Sequence, residues 1–256
     1  MRMKARVTTV ALLPVLLFAA AGCGGADAPP AGKAPDPKGS AAASGTSAAP
    51  GASGGPAGSG APATPKTSGS KLERSALEQG DLAGYQISAQ SNPNAPKGQP
   101  QADKKACQPL ADVMGDQPDP AARETVNRGV GSQKQVGLAV AASVSSYTES
   151  DAKRLIVRLR EAVTACGTGF SATIGKQTGS YRDMRLAPYK TAGDESVSWT
   201  TTVAAKGASA QVHLVIVREG TTIVRLTALN VAAAQQKARV PQEVADKQLE
   251  KVRRAG

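Results

Sequence analysis

Residues 24–70 consist almost entirely of Gly, Ala, Pro, Ser and Thr, and this stretch decides how much of the chain is available to fold. It shows no apolar periodicity, and no part of it carries enough apolar side chains to offset the entropy lost on ordering. We therefore expect a disordered tether here, with a mean end-to-end distance of roughly 35–40 Å. The folded domain is then confined to residues 71–256.

Residues 1–22 have the three parts of a signal peptide. The first part is a positively charged start, formed by Arg2, Lys4 and Arg6. A mainly apolar run follows over residues 7–18, and small residues then lead to Cys23. The apolar run is too short and too interrupted for a permanent membrane span. We therefore expect export, followed by removal of residues 1–22.

The tripeptide before Cys23, Ala20-Ala21-Gly22, resembles the lipobox of bacterial lipoproteins. The resemblance implies that the Cys23 thiol is acylated, with palmitate among the expected chains, and that cleavage leaves Cys23 as the new N-terminus. The lipid would then hold the protein on the extracellular face of the cell membrane. The alternative is ordinary signal cleavage near the alanines, with Cys23 incidental. The tether favours lipidation, because an anchored domain needs a spacer.

Lipidation of Cys23 leaves two cysteines, Cys107 and Cys166. An exported protein meets oxidising conditions, so an even remainder indicates one disulfide between them. Two distant thiols and the single histidine of the chain, His213, do not supply four zinc ligands without acidic help. We therefore expect a Cys107–Cys166 disulfide and no bound metal or cofactor.

The formal charge of the chain is +11. Three basic residues belong to the signal peptide and one net positive charge to the tether, which leaves +7 for residues 71–256. This balance favours anionic neighbours such as lipid head groups or wall polymers. No zinc-finger spacing, helix-turn-helix signature or aromatic RNA-binding platform accompanies it, so we expect no nucleic-acid partner.

The first half of the domain is expected to be helical at two places. Lys71 to Tyr85 predicts a short helix and a turn, anchored by Leu72, Leu77 and Leu82. Residues 89–104 are polar and rich in proline, which is typical of a mobile loop. Cys107 to Met114 predicts a helical turn, ended by Gly115 and Pro118.

Two further helices are expected later in the chain. One is capped by Ser150 or Asp151, runs to about Ala165 and carries an apolar stripe that places Cys166 on the core side. The other, Ala232 to Arg254, is expected in two parts broken at Pro241. Its inward residues are expected to be Val244, Gln248 and Leu249.

Alternating side chains predict the strands. From Val136 to Val144, bulky residues alternate with small ones, which indicates one bulky face and one small face. Further strands are expected at Met184–Leu186 and Val197–Val203, and at Val212–Val217, whose nearly continuous apolar run is typical of a central strand. A tight turn at Glu219-Gly220 then leads into a strand from Thr222 to Leu229. The order of elements indicates an α+β fold in which helices pack against an antiparallel sheet.

Several motifs together resemble the PknH-like extracellular sensor domains and related lipoproteins of actinobacteria. They are a Cys before the first long strand, AVTAC at the end of the following helix, GDES at Gly193–Ser196, VREG at Val217–Gly220 and the C-terminal VPQEVADKQLEKV. The resemblance covers residues 71–256. It implies a curved antiparallel sheet with helices and a cleft for a ligand. The kinase-borne members carry two disulfides, whereas this chain has cysteines for one.

Few residues offer catalytic chemistry. A Ser-His-Asp or Cys-His site would have to be centred on His213, which lies in an apolar strand and is expected to be structural. GFSATIGK at Gly169–Lys176 departs from a phosphate-binding loop in its glycine spacing and in Gln177, which replaces the required Ser or Thr. Ser68 and Lys71 match S-x-x-K, but no supporting motif accompanies them.

Two charged groups are candidates for binding. Asp194 and Glu195 are adjacent acids before a strand, which is a common solvated turn and less often a cation site. The basic C-terminal residues are expected to form a solvated helix face, with contact to anionic lipid or polymer as the alternative. They are Lys247, Lys251, Arg253 and Arg254.

The sequence therefore predicts a signal peptide over 1–22, a lipidated Cys23 and tether over 23–70, and a domain over 71–256. The function it favours is a non-enzymatic ligand-binding or sensing module of the cell envelope, although no residue identifies the ligand. The alternative is a scaffold lipoprotein that contacts envelope proteins. A hydrolase centred on His213 is a third hypothesis.

Overall fold

The computed structural model describes residues 69–89, 98–232 and 236–256. The expected signal peptide, Cys23 and the tether up to residue 68 lie outside the described residues. Ser70 already belongs to the first helix, because its hydroxyl accepts a hydrogen bond from the Glu73 N–H at 3.1 Å and caps the helix N-terminus.

The described residues form four α-helices, nine strands and one 3₁₀ turn. The helices are α1 (Lys71–Ser75), α2 (Gln108–Met114), α3 (Glu149–Ala165) and α4 (Gln242–Ala255), and the 3₁₀ turn Lys105–Cys107 precedes α2. The strands are β1 (Tyr85–Ala89), β2 (Gln101–Ala102), β3 (Glu124–Ser132), β4 (Leu138–Ser146), β5 (Phe170–Ile174), β6 (Gln177–Leu186), β7 (Glu195–Ala205), β8 (Ala208–Glu219) and β9 (Thr222–Asn230).

The nine strands of the described residues form one antiparallel sheet that does not close. Their order is β1-β3-β4-β9-β8-β7-β6-β5-β2. Most neighbours in the sheet are also neighbours in sequence, joined by short turns such as Gly220-Thr221 between β8 and β9, where Gly220 adopts φ +58°. The predicted α+β class, with helices packed against an antiparallel sheet, is confirmed.

Helices cover both faces of this sheet. Helices α1 and α4 pack on one face, against β3, β4, β8 and β9. Helix α3 packs on the other face, against β6, β7 and β8, and α2 lies beside it, against α3 and β2. On β8, Val215 and Val217 point to the α4 face, whereas Leu214 and Ile216 point to the α3 face. Burial on both sides explains the continuous apolar run that predicts a central strand.

Helix α4 ties the two ends of the domain together through one buried amide. The Gln248 side chain accepts from the Leu77 N–H at 3.2 Å and donates to the Ser75 carbonyl at 2.6 Å. Val244, Gln248 and Leu249 are buried, as predicted. Arg128 of β3 adds a bond to the Leu77 carbonyl at 2.9 Å and an ion pair with Glu73. The entry helix α1 is thus fixed to both α4 and the sheet.

Helix α3 follows the expected stripe but begins earlier. Its N-cap is Thr148, whose hydroxyl accepts from the Asp151 N–H at 3.1 Å, so the prediction of Ser150 or Asp151 as the cap is wrong. The disulfide that the sequence predicts joins Cys107, at the start of α2, to Cys166, at the end of α3, with Cα atoms 5.9 Å apart. It fixes the position of α2 on the sheet.

Three further local expectations are wrong. Residues 236–240 are not helical: Ala238 and Val240 are buried against the sheet, and Pro241 disfavours a helical residue before it, so α4 begins at Gln242. Residues 101–102 of the expected loop pair with β5 as β2. Strand β4 begins at Leu138 because Gly137 adopts φ +82°, which leaves Val136 exposed.

Candidate ligand site

A cavity of about 230 Å³ lies on the α3 face of the sheet, where α2 and α3 leave part of the sheet uncovered. Its floor is formed by β3, β4, β8 and β9, and its walls by Leu155 of α3 and the segment after α2, residues 116–122. The α3-face residues of β4 include Ala139, Ala141, Ser143 and Ser145. Because these side chains are small, they leave space that the bulky opposite face does not.

Arg225 projects from β9 into the polar side of this cavity. Its guanidinium donates to the Val113 carbonyl at 2.5 Å and to the Ser143 hydroxyl at 2.8 Å, and it forms an ion pair with Asp116. The Ser143 hydroxyl donates in turn to Asn127 Oδ1 at 2.6 Å. The Arg225 side chain is only 17% exposed, whereas that of Asp116 is 55% exposed. The cation is therefore held inside and its carboxylate partner lies at the mouth.

Tyr147 lines the same cavity and is 3% exposed. Its hydroxyl makes no hydrogen bond with the described residues and, unlike Trp199 Nε1, is not sealed from solvent, so it opens into the cavity. Burial raises the pKa of Tyr147 to about 12. The hydroxyl therefore stays protonated at physiological pH and is a donor without an acceptor.

The other side of the cavity is apolar. Leu155, Ile216 and Ile223 line it and are almost fully buried. An apolar pocket with a few convergent polar groups is the usual form of a small-molecule site. The arrangement is suited to holding an amphipathic molecule and shows no pair of groups placed for acid–base chemistry.

A second pocket, of about 400 Å³, lies on the α4 face between the β3–β4 turn and the start of α4. Two of its charged groups pair: Glu243 accepts from the Tyr85 hydroxyl at 2.8 Å and lies 3.4 Å from Lys134 Nζ. Lys134 also lies over the Tyr85 ring, 5.1 Å from its centroid. Arg239 also lines this pocket; it donates to the Pro188 carbonyl at 3.1 Å and lies over the Tyr189 ring.

His213 is buried in β8 under the segment before α4, where it is 1% exposed. Its Nδ1 accepts from the Val240 N–H at 3.1 Å, and its Nε2 has no partner among the described residues. Burial, together with the positive charge of Arg239, lowers the pKa of His213 to about 4. The ring is therefore neutral, and its burial leaves it no open route to a substrate.

Asp194 and Glu195 bind an arginine of the same chain. Arg218, whose side chain is 9% exposed, donates to Asp194 at 2.9 Å and to Glu195 at 2.5 Å. Asp194 also accepts from the Gly220 N–H at 2.9 Å and so fixes the β8–β9 turn. No group of three potential metal-ligating side chains occurs in the described part of the chain. The two acids are an anchor for Arg218.

Replacing Arg218 with Gln is expected to lower the free energy of unfolding by about 2 kcal/mol, because two charge-assisted hydrogen bonds are lost. Urea unfolding of both proteins measures the change. Arg154→Gln, on the exposed face of α3, is the control and is expected to change stability by less than about 0.5 kcal/mol. An equal effect of the two substitutions would contradict this anchoring role.

The basic C-terminal residues also have acidic partners. Lys251 pairs with Asp81 at 2.8 Å and Arg253 with Glu219 at 3.0 Å, while Lys247 and Arg254 both pair with Glu250. These pairs neutralise much of the expected basic face. Residues 169–176 form β5 and the turn into β6, so they are part of a hairpin and not a phosphate-binding loop. Ser68 lies outside the described residues.

The sequence reasoning missed Arg225, Tyr147 and Asn127. Arg225 interrupts the apolar run of β9 at a position that faces the α3 side, opposite Ser143 of β4 and Ile216 of β8. A lone arginine in a central strand was the available signal. The small face of β4, which the sequence does predict, forms the floor beside it.

The fold and the cavity define a class of protein: an α+β domain whose open antiparallel sheet is covered by helices on both faces and holds a small-molecule-sized cavity. No helix in the described part of the chain has the length and apolar character needed to cross a membrane. No family model matches the chain, and no curated protein matches it.

Solved structures that are similar to this domain include two from mycobacteria. One is the extracellular domain of PknH from Mycobacterium tuberculosis, with a TM-score of 0.44 and 12% identity over 72% of this chain and 94% of that one. The other is a putative uncharacterized protein (Rv0999 ortholog) from Mycobacterium smegmatis, with a TM-score of 0.37 and 11% identity over 68% of this chain and 90% of that one. The first is of the family that the sequence motifs resemble.

Proposed function

We propose that this chain is an extracellular lipoprotein, anchored to the membrane through Cys23, whose domain binds a small molecule without transforming it. The observation that carries the binding role is the cavity on the α3 face, which the Tyr147 hydroxyl and the largely enclosed guanidinium of Arg225 both line. The burial of His213 supports a non-enzymatic role, because the single histidine has no open route to a substrate.

The membrane anchor is supported by the sequence before the domain. A signal-like segment, a lipobox-like tripeptide before Cys23 and a spacer follow one another in the order that an exported lipoprotein requires. The disulfide between Cys107 and Cys166 fits an oxidising compartment.

Replacing Cys23 with Ser is expected to release the protein into the medium, because no thiol is then left for lipidation at the cleavage site. Fractionation of cells into membrane and medium, followed by immunoblotting, measures the shift. Cys107→Ser keeps the anchor cysteine and is the control, expected to stay with the membrane fraction. If the Cys23→Ser protein also stayed there, the anchor would be wrong.

Ligand binding is tested by screening wall fragments and lipids against the secreted Cys23→Ser chain, with thermal shift and native mass spectrometry as readouts. Ala122→Phe places a large side chain at the cavity wall and is expected to abolish any hit. Ala208→Phe changes an exposed alanine at the far end of β8 and is the matched control. Absence of any hit, or a hit that survives Ala122→Phe, would contradict this site.

A further inference from the structure

We infer that the cavity takes a short amphiphile with a carboxylate head group, which replaces Asp116 on the guanidinium of Arg225. This inference rests on the proposed binding function and names the ligand class. It is carried by the donors and acceptors that line the cavity, by the charge of Arg225 and by the apolar side chains opposite.

The cavity has an excess of donors. A guanidinium carries five N–H groups, and Arg225 uses them towards three acceptors: the Val113 carbonyl, Asp116 and the Ser143 hydroxyl. Its Nε–H has no acceptor within the described ranges. The Tyr147 hydroxyl is a second donor without an acceptor. Thr125 and Ser145 bond to each other at 2.9 Å and to neither Arg225 nor Tyr147.

A ligand that fits these donors brings acceptor oxygens and a negative charge. Arg225 and Tyr147 line the same cavity. A head group that reaches both satisfies the donors that the protein itself leaves unused. A neutral alcohol supplies fewer acceptors and no charge for the guanidinium.

Asp116 identifies the head group as a carboxylate. The structure already places one carboxylate on Arg225, supplied from the cavity mouth by a side chain that is more than half exposed. Asp116 can turn into solvent at little desolvation cost, whereas Arg225 stays inside. Planar carboxylates match the fork of a guanidinium. A ligand carboxylate therefore exchanges with Asp116 without leaving a buried charge unpaired.

The volume of the cavity limits the length of the ligand tail, and the side chains opposite Arg225 determine its apolar character. Leu155, Ile216 and Ile223 offer an apolar surface to a hydrocarbon tail. The volume of about 230 Å³ lies below the range of roughly 300–1,000 Å³ usual for drug-sized ligands. The tail is accordingly short, and octanoate is a suitable probe.

The test is calorimetric titration of the secreted Cys23→Ser chain with octanoate, octanol and octyl phosphate, which share one tail. Octanoate is expected to bind best, and octanol at least about tenfold more weakly, because a charge-assisted hydrogen bond is lost. If octanol bound as tightly as octanoate, the protein would not recognise the carboxylate head group. Tighter binding of octyl phosphate would replace the carboxylate by a phosphate and overturn the assignment.

Substitutions separate the roles of the three residues. Tyr147→Phe is expected to weaken octanoate roughly fivefold through loss of one hydrogen bond. Asp116→Asn is expected to tighten octanoate roughly threefold or more, because the competing charge is removed; weaker binding would contradict the exchange. Arg225→Met is expected to cost at least about tenfold. If Arg225→Met fails to fold, the Asp116 and Tyr147 variants still decide the question.

The carboxylate assignment and the proposed binding function fail on different results. If none of the three probes binds but a wall fragment or lipid binds and is lost in Ala122→Phe, the function stands and the carboxylate assignment fails. If neither the probes nor the screened compounds bind, both fail.

Discussion

Removing the disulfide between Cys107 and Cys166 is expected to lower the free energy of unfolding by about 4 kcal/mol. The bond closes a loop with a sequence separation of 59, and in the chain-entropy model a loop of this size restricts the unfolded chain by about that amount. Since small domains are stable by only about 5–15 kcal/mol, the loss is a large part of the total.

Urea unfolding of the Cys23→Ser chain, with and without reductant, measures this effect. The double variant Cys107→Ala/Cys166→Ala is the control: it is expected to show the same loss and no response to reductant. An unchanged midpoint after verified reduction would contradict the prediction. Because the bond holds α2 beside α3, reduction is also expected to weaken any ligand that binds against the segment after α2.

Acidification is expected to destabilise the protein through His213 by as much as about 3 kcal/mol. In the unfolded chain the histidine has its ordinary pKa of about 6.5, whereas in the folded protein burial lowers the pKa to about 4. Between these values the unfolded chain binds the proton and the folded one does not. The contribution is therefore fully present above about pH 6.5 and is lost as the pH falls towards 4.

The variant His213→Asn removes the titrating ring but keeps a side-chain acceptor for the Val240 N–H. Its free energy of unfolding is expected to fall less steeply than that of the parent between pH 6.5 and pH 4. Denaturant unfolding at several pH values measures both slopes. If the free energy of unfolding of both proteins fell equally steeply with pH, the acid sensitivity would come from groups other than His213. The absolute stability of the variant at pH 7 is not the test, because the smaller side chain also changes packing.

The sequence predicts those elements whose buried side chains keep one period. Helix α3 has an apolar stripe, β8 has a continuous apolar run, and the β8–β9 turn has a glycine where φ is positive. Strand β3 was missed because Arg128 stands on its buried face between Val126 and Val130, and the arginine reaches the Leu77 carbonyl and Glu73 for its partners. Because a polar residue occupies this core position, the alternation of apolar and polar side chains that predicts a strand is not visible in β3.

The cavity depends on side chains that are distant in sequence, and for that reason local patterns do not predict it. Arg225 of β9 meets Val113 and Asp116 only because the end of α2 is brought near it, and the disulfide that fixes α2 joins it to α3. The sequence does indicate the small face of β4. The sequence does not show which segment packs near this face. Without that segment, small side chains indicate only a weakly packed surface and not the floor of a cavity.

The bonds of Gln248 also have a mechanical consequence. Any pull transmitted along the chain from the N-terminal side enters the domain at α1, and α1 is held by Gln248 of α4 and by Arg128 of β3. The load therefore passes into the C-terminal helix and the middle of the sheet, on the face opposite the cavity. A force applied ahead of α1 is thus expected to leave the side chains around the cavity in place.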